Sequence, residues 1–108
     1  MPTEYRKLVF SNGELRQAVA EFSEANGLIL PQDEIIKLDL TGQRQHPVTY
    51  HYTTGTQRGS TEVSLSRDQL AAALIIYCRS LRIPVPRSAQ KNVKIDGTEV
   101  SLLLHVPS

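Results

Sequence analysis

The sequence predicts an α+β fold: a tandem β-α-β-β repeat, folded as a largely antiparallel six-stranded sheet with two helices on one face. Three observations lead there. Two amphipathic stretches each open with a capping box, Ser11 with Glu14 and Ser66 with Gln69. Each stretch has one β-rich segment before it and two after it. And the halves match at an offset of 55: Ser66, Leu70, Ala73 and Pro86 fall on Ser11, Leu15, Ala18 and Pro31, all identical. The chain is therefore read as one domain, 1–108, made of two degenerate repeats, about 5–53 and 60–107, joined by a Thr/Gly linker.

In chain order, Tyr5–Phe10 predicts a short strand with Leu8 and Phe10 on one face. A helix follows over about Gly13–Asn26, its stripe formed by Leu15, Ala18, Val19 and Phe22. Gly27 is placed to close it in the left-handed conformation, and Pro31 follows. Ile35–Leu40 alternates with Leu38 and Leu40 inward, as a half-buried strand does. Thr41–Pro47 is a polar turn, and Val48–Thr53 is a β-branched and aromatic strand. Thr54–Ser60 is the linker. Thr61–Leu65 repeats the first strand, and a second helix carries Leu70, Ala73, Leu74, Tyr77 and Leu81 in its stripe until Pro84 and Pro86 stop it. Asn92–Ile95 and Glu99–Val106 flank Asp96-Gly97, the strongest hairpin signal in the chain.

The duplication supplies an internal control. The first helix carries Arg16, Gln17, Ala20 and Glu21 on its outer side. The second has Ala71, Ala72, Ile75 and Ile76 at those places and is apolar all round from Leu70 to Cys78. A helix of that kind is buried on every side. These four residues are accordingly candidates for a homodimer interface.

Composition bounds the function. The chain has 108 residues, 40% hydrophobic and 21% charged, which suits an ordinary globular domain with a real core. The net charge of +1 gives no global case for nucleic acid, but residues 1–54 carry −2 and residues 55–108 carry +3. The single cysteine, Cys78, forms no intramolecular disulfide and reads as a buried core thiol. The N-terminal residues lack an apolar leader, and the longest apolar run, nine residues, is too short to cross a bilayer. The expectation is a cytoplasmic protein with no membrane partner.

Two constellations are candidates for chemistry. Between Asp68 and Asp96 no acid occurs, while Arg79, Arg82, Arg87, Lys91 and Lys94 do; their counterparts are Glu24, Gly27, Gln32, Ile36 and Asp39. This basic tract suits nucleic acid, an acidic protein or a small anion. No aromatic side chain interleaves it beyond Tyr77, so base stacking has no support in the sequence. His51 and His105 are read as equivalent positions on equivalent strands, with His46 as a third ligand if a metal is held. A metal site needs three or four converging ligands, and none is assigned. No nucleophile elbow or phosphate-cradling glycine loop is present. The reading is a non-catalytic binding or adaptor protein, homodimeric, with no cofactor. The alternatives are a nucleic-acid-binding protein using Arg79–Lys94, and a small enzyme or metal site around His51 and His105.

Overall fold

The computed structural model describes residues 3–53 and 61–106. The linker expected at Thr54–Ser60 lies outside the described residues. Eight elements follow in the order β1 (Glu4–Phe10), α1 (Asn12–Ala25), β2 (Glu34–Leu40), β3 (Val48–Thr53), β4 (Thr61–Leu65), α2 (Arg67–Ser80), β5 (Gln90–Asp96) and β6 (Glu99–Val106). The α+β class holds.

Both helices begin as their sequences dictate. Ser11 and Ser66 are N-caps in extended conformation, each with a complete capping box. Both also end in the same Schellman closure. In α1, Gly27 at φ 71° lets Leu28 N–H donate to the Ser23 carbonyl. In α2 the equivalent residue is Arg82, at φ 61°, and Ile83 N–H donates to the Cys78 carbonyl. A left-handed arginine is strained where glycine is not.

The six strands form two antiparallel three-stranded sheets, β1-β6-β5 and β2-β3-β4, where one six-stranded sheet was expected. Each sheet draws strands from both halves of the chain. β1 leaves the first half to pair with β6, and β4 leaves the second half to pair with β3. Side chains occupy one carbonyl on each of two edge strands: the Arg16 guanidinium donates to the Ile35 carbonyl of β2, and that of Arg67 to the Val93 carbonyl of β5. A capped edge offers no free acceptor there to another strand.

The helices also depart from expectation. They pack against each other, α1 touching β1 and β2 and α2 touching β4 and β5, so each helix bridges both sheets. One contiguous apolar cluster results, including Phe10, Leu102 and Leu104 from one sheet, Val48, Tyr50 and Leu65 from the other, and Leu15, Val19, Leu70 and Leu74 from the helices. Within it the Tyr50 hydroxyl donates to Ser23 Oγ at 2.6 Å, which satisfies both buried groups.

Strand register fixes which residues share a face. Leu8 and Phe10 oppose Leu102 and Val100 on the buried side of the first sheet; Val63 and Leu65 oppose Tyr50 and Val48 on that of the second. Leu102 thus corresponds to Tyr50. It follows that Leu103, not His105, stands where the other sheet has His51; His105 corresponds to Thr53. The expected equivalence of the two histidines fails because the β5–β6 turn is three residues shorter than the β2–β3 turn, not one.

Candidate functional site: the outer faces of the two sheets

The basic tract does not form one surface. Arg79 lies in the last turn of α2, Arg82 just beyond it and Arg87 in the connector, all exposed. Lys91 and Lys94 sit on opposite faces of β5. Lys91 shares the inward row with Val93 and turns its ammonium back to the Ala89 carbonyl, at 3.0 Å. Lys94 points outward with Asn92 and Gln90.

The histidines are dispersed as well. His51 has its Nε2 3.8 Å from Asp39 Oδ2 on the outer face of the β2-β3-β4 sheet. His105 is on the other sheet, with Nδ1 3.2 Å from Gln90 Oε1. His46 lies in the exposed β2–β3 turn, where its carbonyl accepts from the Thr41 hydroxyl at 2.6 Å. Among the described residues no three His, Cys, Asp or Glu side chains gather as metal ligands. Cys78 is fully buried, and burial first, then the charge of Glu14, pushes its thiol above the ordinary value. A protonated, enclosed thiol is a poor nucleophile.

The outer face of the β1-β6-β5 sheet gathers residues that no local pattern links. Tyr5 of β1 lies directly opposite His105 of β6, and their rings stack at 4.5 Å between centroids and 2° between planes. Tyr5 remains 75% exposed, because β1 is an edge strand. Around this pair, Lys7, Gln90, Asn92 and Leu103 line a shallow depression of about 360 Å³. Asn92 and Leu103 also line a second cleft, of about 600 Å³, closed on its far side by the β2–β3 turn. Three cations enter that second cleft: Arg44 from the turn, Arg67 from the first turn of α2, and Lys94 from β5. Among the described residues no carboxylate lines it. Two acids share the outward row of this sheet: Asp96, two residues beyond Lys94, and Glu99, which is paired with Lys7 at 3.3 Å.

Sequence reasoning placed Lys94 among candidates but missed Tyr5, Arg44 and Arg67. Tyr5 and His105 are the ends of the chain, and Arg44 and Arg67 belong to different halves. The only usable signal was the parity of Tyr5 and Lys7 against His105 and Lys94, which becomes informative once β1 is known to pair with β6.

The α2 surface is the other unusual feature. Ala71, Ala72 and Ile75 are half-buried against the core, while Ile76 is 42% exposed. On α1 the positions of Ala72 and Ile76 are held by Gln17 and Glu21, whose side chains are hydrogen-bonded at 3.1 Å. Among the described residues no helix is long and apolar enough to cross a membrane. Comparison with family models, with curated proteins and with solved structures finds no match to this chain.

Proposed function

We propose that the chain is a non-catalytic binding or adaptor protein of the cytoplasm, and that it works as a homodimer joined through α2. One observation carries the reading: α2 presents Ile76 beside Ala72 where α1 presents a hydrogen-bonded Gln17–Glu21 pair. Water suits the α1 surface and not the α2 one. Small alanines beside an isoleucine admit close approach of a second helix, and a two-fold axis would set the patch against its own copy. Arg79, one turn on, would take the rim, where charge is tolerated. The single buried thiol suits a reducing compartment.

The reading includes an origin by duplication. The strand orders β1-β6-β5 and β4-β3-β2 correspond element for element, with matching caps and closures, and this supports it. Exchange of first strands is what a two-fold dimer of β-α-β-β units would leave behind after fusion.

Sedimentation at micromolar concentration tests the dimer. The wild type should sediment as a dimer and Ile76→Glu, which copies the residue of α1, as a folded monomer. A monomeric wild type would remove the proposal.

A further inference from the structure

We propose that the outer face of the β1-β6-β5 sheet, with the cleft it shares with the β2–β3 turn, binds a single-stranded polynucleotide. The inference names a ligand class for the binding protein proposed above, and does not depend on self-association through α2, which is a different surface.

Three features of the face point to that ligand. The first is the Tyr5–His105 stack. One face of the Tyr5 ring is taken by His105, and its exposure of 75% leaves the rest of the ring to solvent at the sheet edge. Every base has a π-face, so such a ring accepts any base that is free to leave its own stack. A duplex keeps its bases stacked and could not use it.

The second is the cation cluster. Arg44, Arg67 and Lys94 line one cleft that no carboxylate of the described residues lines, and that cleft meets the aromatic depression at Asn92 and Leu103. Arg67 already donates to the Val93 carbonyl, but a guanidinium has five N–H donors, so it is held in place with donors left for phosphate. Lys94 and Arg44 make no ion pair among the described residues. A strand laid from Tyr5 toward Lys94 would pass from a stacking site over the amides of Gln90 and Asn92 to a site for its backbone.

The third is the contrast with the other sheet, which rules out a general property of the fold. Register places Glu62 where the first sheet has Lys7, and Asp39 where it has Lys94. Glu34 likewise replaces Gln90. The outer face of the first sheet carries Lys7, Lys94, Asp96 and Glu99 and that of the second Glu34, Lys37, Asp39 and Glu62, so the first sheet lacks the acidic excess of the second, and Arg44 and Arg67 add positive charge beside Lys94 on the side that holds the Tyr5–His105 pair.

The test is fluorescence anisotropy of the full chain with labelled dT15, U15 and a 15-base-pair duplex, at 50 and 200 mM salt. Single strands should bind saturably and more tightly than the duplex, the dT15 and U15 arms telling DNA from RNA. Three phosphate contacts predict a weakening of about 20-fold between the two salt concentrations. Tyr5→Ala should weaken binding about tenfold with little change in salt dependence, since it removes stacking alone. The Arg44→Ala/Lys94→Ala double variant should weaken binding and flatten the salt dependence toward that of one contact. All three side chains are exposed, so circular dichroism melts should show these variants folded. The proposal is overturned by absence of binding at 50 mM salt, by duplex binding as tight as single-strand binding with Tyr5→Ala unaffected, or by loss of binding only in an Arg79→Ala/Arg82→Ala/Arg87→Ala variant. Displacement by poly-glutamate as effective as by unlabelled dT15 would also overturn it, in favour of an acidic polypeptide.

Discussion

The two sheets of this protein have corresponding strand orders and the same kind of buried face, yet β2 carries a bulge between Ile35 and Lys37 that β5 lacks, and their outer faces differ. The β2-β3-β4 sheet shows Thr49, His51 and Thr53 along its centre with Glu34, Asp39 and Glu62 beside them, and Asp39 is within reach of both Lys37 and His51. The β1-β6-β5 sheet shows Leu103 and His105 at its centre, Tyr5 stacked at its edge, and Lys94 facing Arg44 and Arg67 across a cleft. Packing constrains the inner faces to similar apolar residues. The outer faces carry no such constraint, so their divergence is where binding specificity can reside.

If that division is correct, the largest effects on stability come from the inner faces and are alike in both sheets. Leu102→Ala, at a fully buried position, should cost about 2–5 kcal/mol in urea unfolding. Leu103→Ala, the next residue on the same strand but on the outer face, should cost far less. Equal costs would mean that the outer face is itself part of a core. Tyr50→Phe comes next. It leaves the buried Ser23 hydroxyl without its 2.6 Å partner, and about 1–3 kcal/mol should be lost.

Tyr50 also gives a pH signature. Burial raises its hydroxyl above the ordinary 10.0, outweighing the lowering effect of the Ser23 hydrogen bond. A raised acid is protonated in the folded chain after the unfolded chain has begun to ionise. Its contribution is therefore complete below about pH 10 and is lost as pH rises further. Alkaline melts of the wild type should fall more steeply above pH 10 than those of Tyr50→Phe. Parallel curves would show that Tyr50 ionises equally in both states.

Much of this fold was legible in the sequence, because local rules act locally. Ser11-x-x-Glu14 and Ser66-x-x-Gln69 gave both helix starts, Asp96-Gly97 gave the hairpin, and alternation gave the inward rows of Leu38, Leu40, Leu102 and Leu104. What was not legible is long-range. Nothing near Glu4–Phe10 says that its partner is Glu99–Val106, so neither the split into two sheets nor the Tyr5–His105 stack could be read. The register error at His51 and His105 has the same root: turn length, not residue identity, decides which residues correspond. Lys91 and Lys94 looked like one tract, but three residues along a strand reverse the face.

Smaller effects separate the halves further. Arg82→Gly should stabilise the chain by up to about 1 kcal/mol, since glycine adopts the left-handed closure of α2 without strain, and Gly27→Arg should destabilise it by a similar amount. Opposite signs would confirm that the two closures are the same device; a stabilising Gly27→Arg would contradict it. Smallest of all, Asp39→Asn removes the carboxylate beside Lys37, an exposed pair, and beside the half-buried His51; its loss should cost under about 1 kcal/mol and fade at high salt.

Single-strand binding at the β1-β6-β5 face is tested most directly by amide chemical-shift mapping of the isotope-labelled chain titrated with a single-stranded 15-mer. It predicts saturable shifts confined to one face, at Tyr5, Asn92, Lys94, Leu103 and His105 with Arg44 and Arg67, while Thr49, His51 and Glu62 stay in place. Shifts centred on the β2-β3-β4 face, or on Arg79, Arg82 and Arg87 at the end of α2, would contradict it.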